Sequence, residues 1–187
     1  MTIYLIRHGA TRGNEEKRYI GRTDEPLSEK GREALIKMKK ACPHCERVVA
    51  SPMKRCTETA ELIFGEGYIT CGDLRECDFG RFEGHNYAEL NGDPDYQAWI
   101  DSGGKLPFPG GESPGDFKER SCKGFLEALD SLGECSSAAF VVHGGTIMSV
   151  LERFALPHQD YYSYMTENGG GYACQWDGKS ITQAVKL

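Results

Sequence analysis

No stretch of this chain is apolar for long enough to cross a bilayer as a helix, which argues against a helical membrane protein. The start, Met1-Thr2-Ile3-Tyr4-Leu5-Ile6-Arg7, lacks a basic leader, a long apolar stretch and a small-residue cleavage site. It does not read as a secretory signal, so the mature protein is expected to begin here. Long runs of Lys or Arg are missing too, and the 187 residues carry a formal net charge of −6. A surface built for nucleic acid is therefore not expected, and any anion must be held by a few local cations. Internal repeats and low-complexity linkers are absent.

What is present fits one well-buried core, and the reading is a single domain over residues 1–187. Hydrophobic residues at 39% and charged residues at 27% are ordinary for a globular chain. The eight cysteines, Cys42, Cys45, Cys56, Cys71, Cys77, Cys122, Cys135 and Cys174, have no export signal beside them. Free thiols and a cytoplasmic location are expected.

Short apolar runs predict strands at Thr2–Ile6, Arg47–Ala50, about Tyr68–Cys71 and Ala138–Val142, the last continuous enough to be buried on both faces. Two more strands are expected around Gly171–Trp176 and Ile181–Val185. Helices are expected from Ser28 to about Ala41, with Ala34, Leu35 and Met38 on one face, and from Ser51-Pro52, read as N-cap and first helical position, to Phe64-Gly65. Further helices are expected from about Ser113 to Leu132, with Phe117, Cys122, Phe125, Leu126 and Leu129 at helical spacing, and near Ile147–Phe154. Between about 78 and 113, Phe79, Phe82, Tyr87, Tyr96, Trp99 and Phe108 alternate with Gly, Pro and Asp. This segment reads as two short helices and a loop that cover a crevice.

His8, Arg55, Glu76 and His143 each follow one of the four expected strands. Ligands of open α/β sheets bind outside the carboxyl ends of strands, so these distant residues can share one crevice. Arg7-His8-Gly9 supplies a fixed cation, an imidazole and a residue that permits close backbone approach. Arg55 adds a second guanidinium, and His143 precedes a helix whose first N–H groups, Gly144 among them, are free for an anion. Asn14 and Thr11 offer neutral donors. Two arginines, two histidines and a helix start suit a phosphate dianion with its acceptor oxygens. A carboxyl group beside phosphate is pushed toward its protonated form and can then protonate a leaving alkoxide. Glu76 fits that role, with Asp78 and Glu83 as alternatives. The blander readings are a surface ion pair of Arg55 with Glu58 or Glu61, and of Glu76 with Arg75. Which histidine attacks is left open.

In order, Ile6-Arg7-His8-Gly9-Ala10-Thr11 with Asn14, Gly21-Arg22-Thr23-Asp24-Glu25-Pro26-Leu27-Ser28 with Gly31, Ser51-Pro52 with Arg55 and Thr59-Ala60-Glu61, Leu74-Arg75-Glu76 with Phe79-Gly80 and Glu83-Gly84, and Val142-His143-Gly144-Gly145 resemble the histidine phosphatase superfamily. That superfamily is also called phosphoglycerate mutase-like. The resemblance implies a three-layer α/β/α sandwich with a mostly parallel central sheet. It further implies that His8 is the nucleophile, that Arg7, Arg55 and His143 hold the phosphate with help from Asn14, and that Glu76 protonates the leaving oxygen and then activates water. Neither metal nor cofactor is expected, and the partner is a small phosphate ester. Ala10 stands where many members carry Glu, and Cys77 where many carry Met. No basic insertion of the kind mutases carry is visible, which favours a phosphatase. Leu74–Gly84, Asp93-Pro94-Asp95-Tyr96 with Trp99, and Pro109-Gly110-Gly111-Glu112-Ser113 look like α-ribazole phosphatases of cobalamin synthesis. Phosphoglycerate mutase, broad-specificity sugar-phosphate phosphatase and a non-catalytic phospholigand module are the competing readings. Cys42-Pro43-His44-Cys45 ends a helix rather than opening one, which argues against a redox site. It also lacks the second close pair of a zinc site. His44, His85 and His158 read as surface residues.

Overall fold

The computed structural model describes every residue except 40, 41 and 43. In chain order the elements are β1 (Thr2–Arg7), α1 (Arg12–Glu15), α2 (Glu29–Lys39), β2 (Arg47–Ala50), α3 (Lys54–Phe64), β3 (Ile69–Thr70), α4 (Pro94–Asp101), α5 (Pro114–Ser131), β4 (Ser137–Val142), α6 (Gly144–Phe154), β5 (Gly171–Trp176) and β6 (Ile181–Lys186). Short 3₁₀ turns lie at Gly72–Leu74, Gly80–Phe82 and Tyr161–Tyr164.

The six strands form one sheet in the order β3-β2-β4-β1-β5-β6. The first four run parallel, and β5 and β6 are antiparallel additions. Strand β4, the apolar run Ser137–Val142, lies inside and is buried from Ala138 onward. Its successive side chains point to opposite faces, as strand geometry requires. Phe140 packs with Phe125 of α5 and with Ile147 and Leu151 of α6. Val141 meets Cys56 and Ala60 of α3 on the other side. Helix α2 then closes over α3 through Leu35 and Ile63. Helices therefore cover both faces, giving the three-layer α/β/α sandwich with a mostly parallel sheet.

Register positions the functional end of the sheet. Arg7 of β1 pairs with Val142 of β4, so His8 and His143, each one residue further on, emerge side by side. The His8 N–H donates to the Val142 carbonyl at 3.0 Å, extending the ladder by one step.

Several local expectations need correction. Ser51 does not cap α3: Met53 holds the N-cap position, and the helix starts at Lys54. The Ser51 hydroxyl is engaged by His143 at 2.8 Å, and the Asp24 carboxylate, from a distant loop, accepts the Lys54 N–H at 2.7 Å instead. The cover does hold two short helices and a loop, the helices being the 3₁₀ turn Gly80–Phe82 and α4. Cys77, Phe82, Leu90, Tyr96, Phe108 and Phe117 form a separate small core there, with Tyr19, Phe79 and Trp99 against it. Tyr87 remains exposed. On α5, Phe117, Phe125 and Leu129 are buried but Leu126 is exposed. On α2, Leu35 alone of the expected stripe is fully buried, with Met38 partly so and Ala34 exposed. The expected end of that helix at Ala41 and Pro43 of the cysteine motif lie outside the described residues.

Candidate active site

The parallel strands deliver the expected residues to one place. The rings of His8 and His143 meet edge to face with centroids 5.1 Å apart. Arg55, in the first turn of α3, is completely buried. It is not a surface ion-pair residue, because Glu58 is taken by Arg32 and Glu61 by Tyr68. Its guanidinium donates to the carbonyls of Thr23 at 2.7 Å and Gly21 at 2.8 Å, and its Nε–H donates to His143 Nδ1 at 3.3 Å.

These contacts fix the protons on both histidines. The Gly9 carbonyl lies 2.7 Å from His8 Nδ1, and a carbonyl only accepts, so Nδ1 carries the proton and Nε2 keeps a lone pair. His143 is arranged differently: Nδ1 accepts from Arg55, so Nε2 donates to the Ser51 hydroxyl. Both nitrogens of His143 are engaged, while Nε2 of His8 has no hydrogen-bond partner among the described residues. Burial, followed by the neighbouring Arg55 charge, holds each ring well below its ordinary value of 6.5. Both are neutral imidazoles near neutral pH.

Arg7 closes the site from β1. Its Nη1 donates to the Thr166 carbonyl at 2.7 Å, and its buried Nε has no hydrogen-bond partner among the described residues. A buried donor without an acceptor is costly, and an anion placed beside Arg7 and the start of α6 would supply one. The Gly144 backbone lies against that guanidinium. Asn14 has its Oδ1 occupied by N–H donors from Thr11 and Asn168, which leaves its Nδ2 as the outward donor. Thr11 is buried, and its Oγ1 accepts the Asn14 N–H, so it caps α1.

Glu76 follows β3 without regular structure around it. Its carboxylate accepts from the Cys77 N–H at 3.0 Å and the Gly145 N–H at 3.3 Å. A side chain at Gly145 would overlap Oε1, so only glycine allows this approach. Burial raises the Glu76 pKa above its ordinary 4.5, outweighing those two N–H groups and the charges of Arg55 and Arg7. The alternative carboxylates are committed elsewhere. Glu83 accepts from the Gly21 and Arg22 N–H groups and the Thr23 hydroxyl, and Asp78 accepts from the Gly80 N–H and pairs with Arg22.

A cavity of about 740 Å³ opens beside Arg7, Glu76, Gly144 and Gly145, walled by Tyr19, Phe79, Trp99, Phe108, Phe117 and Tyr161. A second, of about 410 Å³, reaches Glu76 from a polar side lined by Arg22, Arg75, Asp78, Glu112 and Arg120. His8, Arg55 and His143 lie behind these walls, with His8 only 4% exposed. His85 is exposed and bonded to its own loop. Among the described residues, no group of three or more His, Cys, Asp or Glu is arranged to hold a metal ion, and no helix is long and apolar enough to cross a membrane.

Sequence reasoning missed the loop before β5. Besides the Thr166 contact with Arg7, Asn168 Nδ2 donates to the His8 carbonyl at 3.2 Å and to Asn14 Oδ1 at 3.1 Å. The Gly169 N–H donates to the carbonyls of Arg7 and His8. The available signal was Asn168 followed by three glycines, a mark of close backbone approach.

Fold and site together define an α/β enzyme whose histidines and arginines gather at the carboxyl ends of parallel strands. A family model described as the histidine phosphatase superfamily (branch 1) matches residues 3–185. The chain is 26% identical over 178 residues to the adenosylcobalamin/alpha-ribazole phosphatase of Salmonella typhimurium, covering 90% of this chain and 87% of that one. The solved phosphoglycerate mutase from Thermus thermophilus is similar at a TM-score of 0.76 and 31% identity, covering 100% and 99% of the two chains. The alpha-ribazole phosphatase from Shigella flexneri shares the fold at a TM-score of 0.86 and 22% identity, covering 100% and 96%. The protein belongs to the histidine phosphatase superfamily. Within it, the chain is a phosphatase, a hydrolase of small phosphate esters.

Proposed function

We propose that this phosphatase acts through a phosphohistidine on His8 Nε2, and that its substrate is α-ribazole 5′-phosphate. The observation that carries the covalent step is the unequal use of the two imidazoles. Nε2 of His8 has its lone pair free, whereas both nitrogens of His143 are engaged. A neutral imidazole with a fixed tautomer is a competent nucleophile. Its attack on phosphorus forms the N–P bond as the bond to the leaving oxygen breaks, and Glu76 gives that oxygen its proton. Glu76, now a carboxylate, takes a proton from water. The resulting hydroxide cleaves the N–P bond, releases inorganic phosphate and restores His8. Arg7, Arg55, the Gly144 N–H and the Asn14 amide hold the phosphoryl oxygens, with donors preset before charge develops, and His143 joins them by turning its Nε2–H from the Ser51 hydroxyl. Thr11 supports Asn14 as the cap of α1.

The aromatic walls of the 740 Å³ cavity support a flat, apolar leaving group next to the phosphate. α-Ribazole, a benzimidazole nucleoside, is of that kind, and the Salmonella typhimurium relative is named an adenosylcobalamin/alpha-ribazole phosphatase. The mutase alternative is not removed by length, because the chain spans 99% of a solved chain of that name. We further read residues 1–187 as one domain, with 78–113 as its cover. Cytoplasmic location fits the buried thiols Cys56, Cys77 and Cys174.

Phosphate release from α-ribazole 5′-phosphate, 3-phosphoglycerate, sugar phosphates and p-nitrophenyl phosphate tests the substrate. A strong preference for α-ribazole 5′-phosphate is expected. Equal turnover of the panel would remove that assignment, and conversion of 3-phosphoglycerate to its 2-isomer would replace it with the mutase.

A further inference from the structure

Arg120 on α5 and Glu112 in the preceding turn make no contact with the histidines or with Arg55, yet they form an ion pair in which each side chain is about one-fifth exposed. The pair is bidentate: Nε meets Oε1 at 2.9 Å and Nη2 meets Oε2 at 2.8 Å. The other guanidinium N–H groups all turn to one stretch of backbone. Nη1 donates to the carbonyls of Asp73 at 2.8 Å and Arg75 at 3.1 Å, and Nη2 to that of Glu76 at 3.4 Å. From the opposite side, the Glu112 N–H donates to the Asp78 carbonyl at 2.9 Å. Residues 75–79 have no helix or strand of their own, so this pair supplies much of what holds their backbone.

We propose that the Glu112–Arg120 pair is the positioning device for Glu76, fixing the direction from which its proton reaches the leaving oxygen. This rests on the reading of Glu76 as the proton donor. The planar guanidinium fork is essential to it, since one side chain must grip a carboxylate and three carbonyls at once. A lysine ammonium keeps the charge but has three donors and no such plane.

The test is kcat/KM for Arg120→Lys, Glu112→Gln and Glu76→Gln over aryl phosphates from p-nitrophenyl phosphate to phenyl phosphate, with thermal melts to verify folding. Aryl esters with poor leaving groups depend on the proton donor, and p-nitrophenyl phosphate depends on it little. Arg120→Lys is expected to lose on the order of tenfold to a hundredfold on phenyl phosphate and under about threefold on p-nitrophenyl phosphate. In the Glu76→Gln background, Arg120→Lys should then cost almost nothing more, because both changes remove the same proton delivery. Equal losses across the series, or losses that multiply in the double variant, would overturn the positioning role. A uniform loss for Glu76→Gln itself would instead move the proton donor elsewhere and take the positioning role with it. If Arg120→Lys does not fold, Glu112→Gln carries the same expectation, since it weakens the fork without removing it.

Discussion

An imidazole attacks phosphorus only while one nitrogen keeps its lone pair, and it is held for attack only if the other is tied down. His8 meets both conditions through the Gly9 carbonyl at 2.7 Å and through the burial and arginine charge that keep it neutral. Its carbonyl, and that of Arg7, are held in turn by Asn168 and Gly169. Asn168 also decides which end of the Asn14 amide faces outward, because it occupies Asn14 Oδ1. Replacing Asn168 with Ala is expected to raise the inhibition constant for inorganic phosphate and lower kcat/KM by about tenfold, a loss typical of slightly misplaced groups. Unchanged phosphate inhibition in that variant would show that the loop has no bearing on the anion site. The four residues after strands were legible in the sequence because charge and imidazole stand out at strand ends. Thr166 and Asn168 were not, because they act through backbone carbonyls, and nothing in a neutral side chain announces a carbonyl partner far away in sequence.

Among the elements, strands were legible wherever strand-forming residues run together, in the half-exposed β5 and β6 as in the buried β4. Strand β2 was readable to the residue, and β4 to within one, from their short apolar runs. Helix α5 was readable from the helical spacing of Phe117, Phe125 and Leu129, and Ser113, ahead of Pro114, caps it by accepting the Asp116 N–H at 3.0 Å. Ser51-Pro52 carries the same local signature, yet tertiary structure overrides it, since the buried His143 claims the hydroxyl and Asp24 caps α3 from outside. Asp24→Ala is therefore expected to destabilise the protein by about 1 kcal/mol, the usual value for a lost cap, measured by urea denaturation. Because α3 carries Arg55, activity should fall with it. No shift in the unfolding midpoint would mean that the Asp24 contact contributes nothing to the helix. The cover was legible as an aromatic segment but not as particular helices, because its residues pack on one another rather than with a helical period.

For the whole molecule, the buried site makes stability depend on pH. His8 and His143 have folded pKa values depressed below 6.5. Above pH 6.5 the folded and unfolded chains both leave them neutral. Below it, the unfolded chain binds protons that the folded chain refuses, so stability falls as the solution is acidified. Glu76 works in the opposite sense: its raised pKa lets the folded chain keep a proton that the unfolded chain releases above 4.5. Its contribution therefore declines as pH rises through that window. With two histidines against one carboxyl group, melting temperature is expected to drop between pH 7 and pH 5. The drop should be smaller in His8→Gln, and an undiminished drop there would show that His8 is not held neutral by the fold.

In the proposed reaction, phosphate passes through His8. The direct measurement is to mix the enzyme with substrate, quench within the first turnover in alkali, where phosphohistidine survives, and map phosphorylated peptides by mass spectrometry. Phosphate is expected on the peptide carrying His8, and none in His8→Ala. Phosphate on His143 instead, or product release with no phosphorylated peptide at any time, would contradict it.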